Sequence, residues 1–179
     1  LVEQDPAHHG LSDRYAFQCL DDDELAWLSE LPASLQPMDG MQTFHGAPTN
    51  DTTYLLETVE HGRVHPASSV EIIERLDGVR VPVMVCGHTH VPRVVEVLGE
   101  MLIVNPGSVG LPAYDDDTPD YHVIENGSPH ARYAILEQEN DRWVIELIAI
   151  AYDHYQAARQ ALRNNRPDWE VALRTGFMQ

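Results

Sequence analysis

The stretch that most limits how this chain can fold is Val81-Pro82-Val83-Met84-Val85-Cys86-Gly87-His88-Thr89-His90. A short apolar run rich in β-branched residues predicts a buried strand. It ends at Gly87, where the backbone is free to bend. Two histidines follow, one residue apart. If the chain stays extended through Thr89, His88 and His90 point to the same side. Two neutral imidazoles on one side are a ready pair of metal ligands. A bare His-x-His also fits a solvated loop. Its setting favours the ligand reading, because open α/β sheets collect ligands at the C-terminal ends of their strands. A second apolar run ends in Asn105-Pro106-Gly107-Ser108-Val109-Gly110. Upstream, Phe44-His45-Gly46-Ala47-Pro48 repeats the form of strand, histidine, glycine and turn.

The neighbouring segments predict a strand–helix–strand order and hence a parallel or mixed sheet. Residues 69–76 read as a helix, with Val70, Ile73 and Leu76 on one side, Pro66 at its start and Asp77-Gly78 at its end. Three hairpins are expected. In the first, Asp39-Gly40 forms a two-residue loop between 35–38 and 41–44. The others join 93–98 to 101–104 through Gly99-Glu100, and 133–136 to 143–150 through a 139–141 turn. Residues 49–61 carry no decisive pattern. Residues 114–126 are polar, contain four aspartates and read as a long acidic insert. Helices are expected over 12–20, 153–163 and 168–173, with Pro167 starting the last. Another opens at Asp21-Asp22-Asp23-Glu24 and shows Leu25, Leu28 and Leu31 on one face. That acidic run reads as helix capping rather than a cation site. His8-His9 reads as part of a surface loop.

Composition narrows the function classes. The chain has 179 residues and no internal repeat, which fits one domain. Its formal charge of -18 repels phosphate backbones and so argues against nucleic acid as an obligate partner. The same surplus of carboxylates suits divalent cations. Cys19 and Cys86 make no disulfide framework, and Cys86 is expected as a buried thiol, so a reducing cytoplasm fits. No apolar run approaches the ~20 residues that cross a membrane. The chain opens Leu1-Val2-Glu3-Gln4, without an initiating methionine, which suggests a piece of a longer polypeptide.

Gly87-His88-Thr89-His90 followed by Asn105-Pro106-Gly107-Ser108 resembles the calcineurin-like metallophosphoesterases, in their small bacterial and archaeal phosphodiesterase-type branch. Phe44-His45-Gly46-Ala47-Pro48 and Arg132-Tyr133-Ala134-Ile135-Leu136 fit the same pattern in the same order. The resemblance implies an α/β fold, a four-layer α-β-β-α sandwich. It implies two divalent metal ions, manganese favoured over iron or zinc, and hydrolysis of a small-molecule phosphomonoester or phosphodiester by a metal-bound hydroxide. His45 and His88 would bind one ion and His90 the other, with Gly87, Thr89 and Asn105 beside them. Asn105 reads as a turn former rather than a ligand. The family's Asp-x-His, Gly-Asp and Gly-Asn-His-Asp motifs do not occur in this chain. The expectation is therefore a C-terminal portion, inactive alone, whose general acid lies upstream of Leu1. A homo-oligomer stays open. So do two other functions, a catalytically incomplete binding or assembly module on the same scaffold and a mononuclear metal-binding protein using the three histidines. Tyr114 or an aspartate of the insert is a candidate for substrate choice. His61, His65, His122, His130 and His154 are expected at the surface, and Trp27, Trp143 and Trp169 in packing.

Overall fold

The computed structural model describes residues 10–140 and 142–179, so His8-His9 and Asp141 lie outside the described residues. The chain forms two compact units, 1–33 and 34–179. In the first, α1 (Leu11–Cys19) and α2 (Asp22–Ser29) are the described helices. Asp21 caps α2. Its carboxylate accepts from the Glu24 amide at 2.9 Å, and Glu24 accepts in return from the Asp21 amide at 2.9 Å. The acidic run is thus spent on orphan helix donors, as its position predicts. Trp27 is 61% exposed, so the expectation that it packs is corrected.

In the second unit, β1 (Ser34–Leu35), β2 (Met41–Phe44), β5 (Val83–Val85), β7 (Met101–Asn105) and β6 (Arg93–Val97) form a mixed sheet in that spatial order. β2, β5 and β7 run parallel, while β1 and β6 pair antiparallel at the two sides. Val83 and Met84 are wholly buried, as are Ile103 and Val104 beside them. This is why the short apolar runs become central strands. α3 (Ser69–Arg75) supplies Ile72, which joins Leu76, Met84, Val97 and Ile103 in one core cluster. Full burial of each such side chain is worth roughly 1.5–3 kcal/mol. Burial pushes the Cys86 thiol in this core up to about 12.

Four expectations change here. Asp39-Gly40 forms the expected turn, with the Met41 amide donating to the Met38 carbonyl at 3.2 Å, but the strands do not pair beside it. Pairing ends at Leu35↔Thr43, and Gly40 alone takes positive φ, whereas a type I′ turn needs it at both central residues. Pro37 has no amide to extend the ladder, and the Gly40 carbonyl is taken by the Val83 amide at 3.0 Å. Pro66 ends a strand rather than starting a helix. β3 (Glu57–Glu60) pairs with β4 (Arg63–Pro66), and Ser68 caps α3. The acidic insert is no plain loop. β8 (Ala113–Asp116) and β9 (His122–Glu125) make a hairpin across it, with Ile124 and His122 buried. His122, 1% exposed, is therefore not a surface histidine.

The last hairpin is longer than its apolar runs. β10 (Ala131–Glu139) and β11 (Arg142–Ile150) pair over nine positions. α4 (His154–Arg163), capped by Asp153, packs against α5 (Pro167–Thr175) through Ala158, Ala161 and Leu173. Trp169 packs against that cluster with the Arg166 guanidinium 5.0 Å from its ring centroid.

Candidate active site

Parallel β2 and β5 end side by side, so the residues that follow them meet. The Gly87 amide donates to the His45 carbonyl at 2.7 Å and ties the two bends together. The chain does not stay extended through Thr89. His88 and His90 take φ of 63° and 60°, and the Thr89 amide donates to the Gly87 carbonyl at 2.8 Å. The bend therefore lies in the histidines, while Gly87 has no positive φ. Two left-handed non-glycine residues cost energy and persist only where their surroundings hold them. Asn105 supplies that hold. It is 1% exposed, and its amide group donates to the Gly87 carbonyl at 2.8 Å and to Thr89 Oγ1 at 3.0 Å. Its Oδ1 accepts from the Gly107 amide at 2.9 Å. Asn126 completes the frame from the insert by donating to the His90 carbonyl at 2.8 Å.

Gly46 is required by space. A Cβ there would stand 2.5 Å from the Asp51 carbonyl oxygen. The absence of a side chain lets the following turn close over His45 and bring Thr52 to His88.

The rings of His45 and His88 lie 5.0 Å apart, centroid to centroid. His88 Nε2 is 3.1 Å from the Thr52 carbonyl oxygen, so Nε2 carries the proton and Nδ1 keeps a lone pair. Burial pushes the His88 pKa down, and the neighbouring His45 adds to this against the Thr52 carbonyl. Burial also lowers His90, with the Leu111 backbone pulling back and His45 pushing further. His90 Nδ1 is buried without a hydrogen-bond partner. Its ring meets Tyr114 edge-on at 5.1 Å.

A tyrosine–histidine chain backs the site, and no sequence motif announces it. His122 Nδ1 donates to the Asp120 carbonyl at 2.8 Å, which leaves Nε2 to accept from the Tyr54 hydroxyl at 3.0 Å. Tyr54 in turn accepts from the Tyr114 hydroxyl at 2.9 Å. The Tyr54 ring lies 4.9 Å from that of His88. Burial raises the pKa of both tyrosines, so they stay hydroxyl donors. Arg75 is another residue that patterning missed. Its guanidinium donates to the carbonyls of Tyr54 and Glu57, both at 2.9 Å, and fastens this segment to α3.

The donor chemistry suits a divalent ion, since metal-binding imidazoles must be neutral and both shifted histidines are held that way. The number of donors does not fill a shell. Among the described residues, no group of three or more histidine, cysteine, aspartate or glutamate side chains is placed to hold a metal ion. The three histidines do not close a mononuclear site by themselves.

The chain is similar to known proteins. Residues 41–129 match the calcineurin-like phosphoesterase superfamily domain. The structure superposes on a metallophosphoesterase from Sphaerobacter thermophilus with a TM-score of 0.68 at 21% identity, covering 97% of this chain and 69% of that one. A hypothetical protein from Pyrococcus horikoshii OT3 superposes with a TM-score of 0.60 at 15% identity, covering 99% and 68%. No curated protein matches the chain. The His45 block, the Gly87–His90 turn and the Asn105 brace all fall inside the matched span. Through that span the chain belongs to the calcineurin-like phosphoesterase superfamily, with its mixed α/β fold.

Proposed function

We propose that this chain is part of a metal-dependent phosphoesterase that hydrolyses a small-molecule phosphomonoester or phosphodiester. The observation that carries the reading is the His45–His88 pair. It stands at the ends of adjacent parallel strands, and His88 keeps a lone pair on Nδ1. His45 and His88 serve one divalent ion and His90 a second, manganese favoured. The described residues do not by themselves form a closed set of ligands for two ions. Ions so bound supply charge stabilisation at the phosphoryl group and lower the pKa of water. The chain's own part is to hold neutral imidazoles in place through Gly87, Thr89 and Asn105. The two thiols are free, which suits a reducing cytoplasm.

The test is metal content and phosphate release by the full-length protein with added manganese. Two ions per chain and metal-dependent release are expected, and His88→Ala abolishes both. One observation favours a second reading, a binding module that has lost catalysis: the described residues lack a closed metal group. A full-length protein that takes up no metal and releases no phosphate from any ester establishes that second reading instead.

A further inference from the structure

Beside the histidine turn lies a cavity of about 490 Å³, walled among others by Thr53, Tyr54, Glu57, Arg75, His88 and Asp116. His88 makes it continuous with the site, while Asp116 brings the acidic insert to its rim. Its charges are unequal. The one guanidinium on the wall is spent, with Nη1 on main-chain carbonyls and Nη2 on Thr58 at 2.7 Å and Glu71 at 3.2 Å. The two carboxylates differ. Glu57 is 2% exposed and neither of its oxygens has a hydrogen-bond partner, although Arg93 Nε forms an ion pair with Oε1 at 3.4 Å. Asp116 is fixed in place by the Thr118 amide, which donates to Oδ1 at 2.8 Å. Burial raises the Glu57 pKa and Arg93 stands against it, so Asp116 is the unbalanced carboxylate of the wall, and a second anionic group entering here meets like charge there. A hydroxyl or ammonium group meets the Asp116 carboxylate, threonine hydroxyls and the Tyr54 ring.

We infer that this cavity receives the alcohol portion of the phosphoester, selecting alcohols that carry an ammonium or hydroxyl donor and rejecting those with a second negative charge. The inference rests on the phosphoesterase reading and names the substrate class of that same site.

Three esters of similar size test it on the full-length protein with manganese: 2-aminoethyl phosphate, ethyl phosphate and carboxymethyl phosphate. Calorimetry gives affinities, and phosphate release gives rates. The aminoethyl ester is expected to bind roughly tenfold more tightly than the carboxymethyl ester, the difference between a partly screened charge pair that attracts and one that repels. Asp116→Asn keeps the oxygen that accepts from Thr118 and removes the charge, so it brings the ratio close to one. Asp116→Lys inverts it. Thermal melts show whether each variant folds, and either folded variant is sufficient. Equal affinities for all three esters with normal phosphate release overturn the inference and leave the phosphoesterase reading standing. A preference that Asp116→Asn erases, without any phosphate release, supports the cavity's selectivity and overturns the hydrolase reading. Failure of all three esters to bind overturns the inference.

Discussion

At the scale of single residues, Asn105 decides the geometry of the candidate site. A buried amide that both donates and accepts holds two left-handed histidines in place. Asn105→Ala leaves the Gly87 carbonyl and Thr89 hydroxyl short of a donor, at a cost of about 1–3 kcal/mol in stability. Manganese affinity should fall by roughly 10–100-fold, as for other residues that orient ligands. Asn105→Asp is expected to be as damaging, because a carboxylate accepts but cannot donate. Calorimetric metal titration beside a thermal melt checks both. His88 and His90 add a pH dependence whose sign follows from burial. Their folded pKa values lie below the ordinary histidine value, so the unfolded chain binds protons first as pH falls. Their stabilisation is complete above about pH 6.5 and declines as pH drops through that value toward the folded pKa. Melting temperatures of metal-free protein should fall over this window, and His88→Gln should flatten the fall. An unchanged slope in that variant refutes the assignment.

At the scale of elements, α3 shows how local chemistry places the cavity wall. Ser68 and Glu71 form a reciprocal cap, and Glu71 also accepts from Thr58 at 2.6 Å, so the helix start is joined to β3. Hydrogen bonds from the Ser68 side chain, then from Thr58, hold the Glu71 carboxyl down at about 2. Ser68→Ala should cost about 1 kcal/mol. In the pH profile, the Glu71 contribution is present above its unfolded value and is lost as pH falls through about 2, and Glu71→Gln should remove that acid limb. Urea melts at several pH values measure both effects. The same element shows what patterning can read. The helix over 69–76 is legible because its period and stop signal are local, and β5 and β7 are legible because burial on both faces leaves an unbroken apolar run. The Asp39-Gly40 turn is legible because its signal is local, while the strand pairing beside it stops at Leu35↔Thr43, short of Pro37, which has no amide to offer. The insert is misread because its aspartates mask alternate buried positions, His122 and Ile124, that only the β8–β9 pairing reveals. Motif spacing brings His45, His88 and His90 to notice. Tyr54, Arg75 and His122 escape it because their roles depend on contacts across 18 to 68 positions of sequence.

At the scale of the whole molecule, the formal charge of -18 sets conditions that every local interaction inherits. Like charges distributed over the surface repel one another and oppose compaction. Sodium chloride shortens the range of that repulsion from about 30 Å at 0.01 M to about 8 Å at 0.15 M. The melting temperature should therefore rise with salt at neutral pH, the reverse of a protein held by surface ion pairs. Divalent ions at equal ionic strength screen in the same way and also bind where donors converge. If the His45–His88 pair is a place of convergence, manganese should raise the melting temperature beyond matched sodium chloride. That excess should grow with the logarithm of metal concentration, as ligand linkage requires. His45→Ala should abolish the excess while leaving the sodium effect intact, because one side chain changes little in a formal charge of -18. An excess that survives His45→Ala would trace manganese binding to scattered carboxylates. The two slopes, measured on one protein, separate the field of the whole surface from the chemistry of two rings 5.0 Å apart.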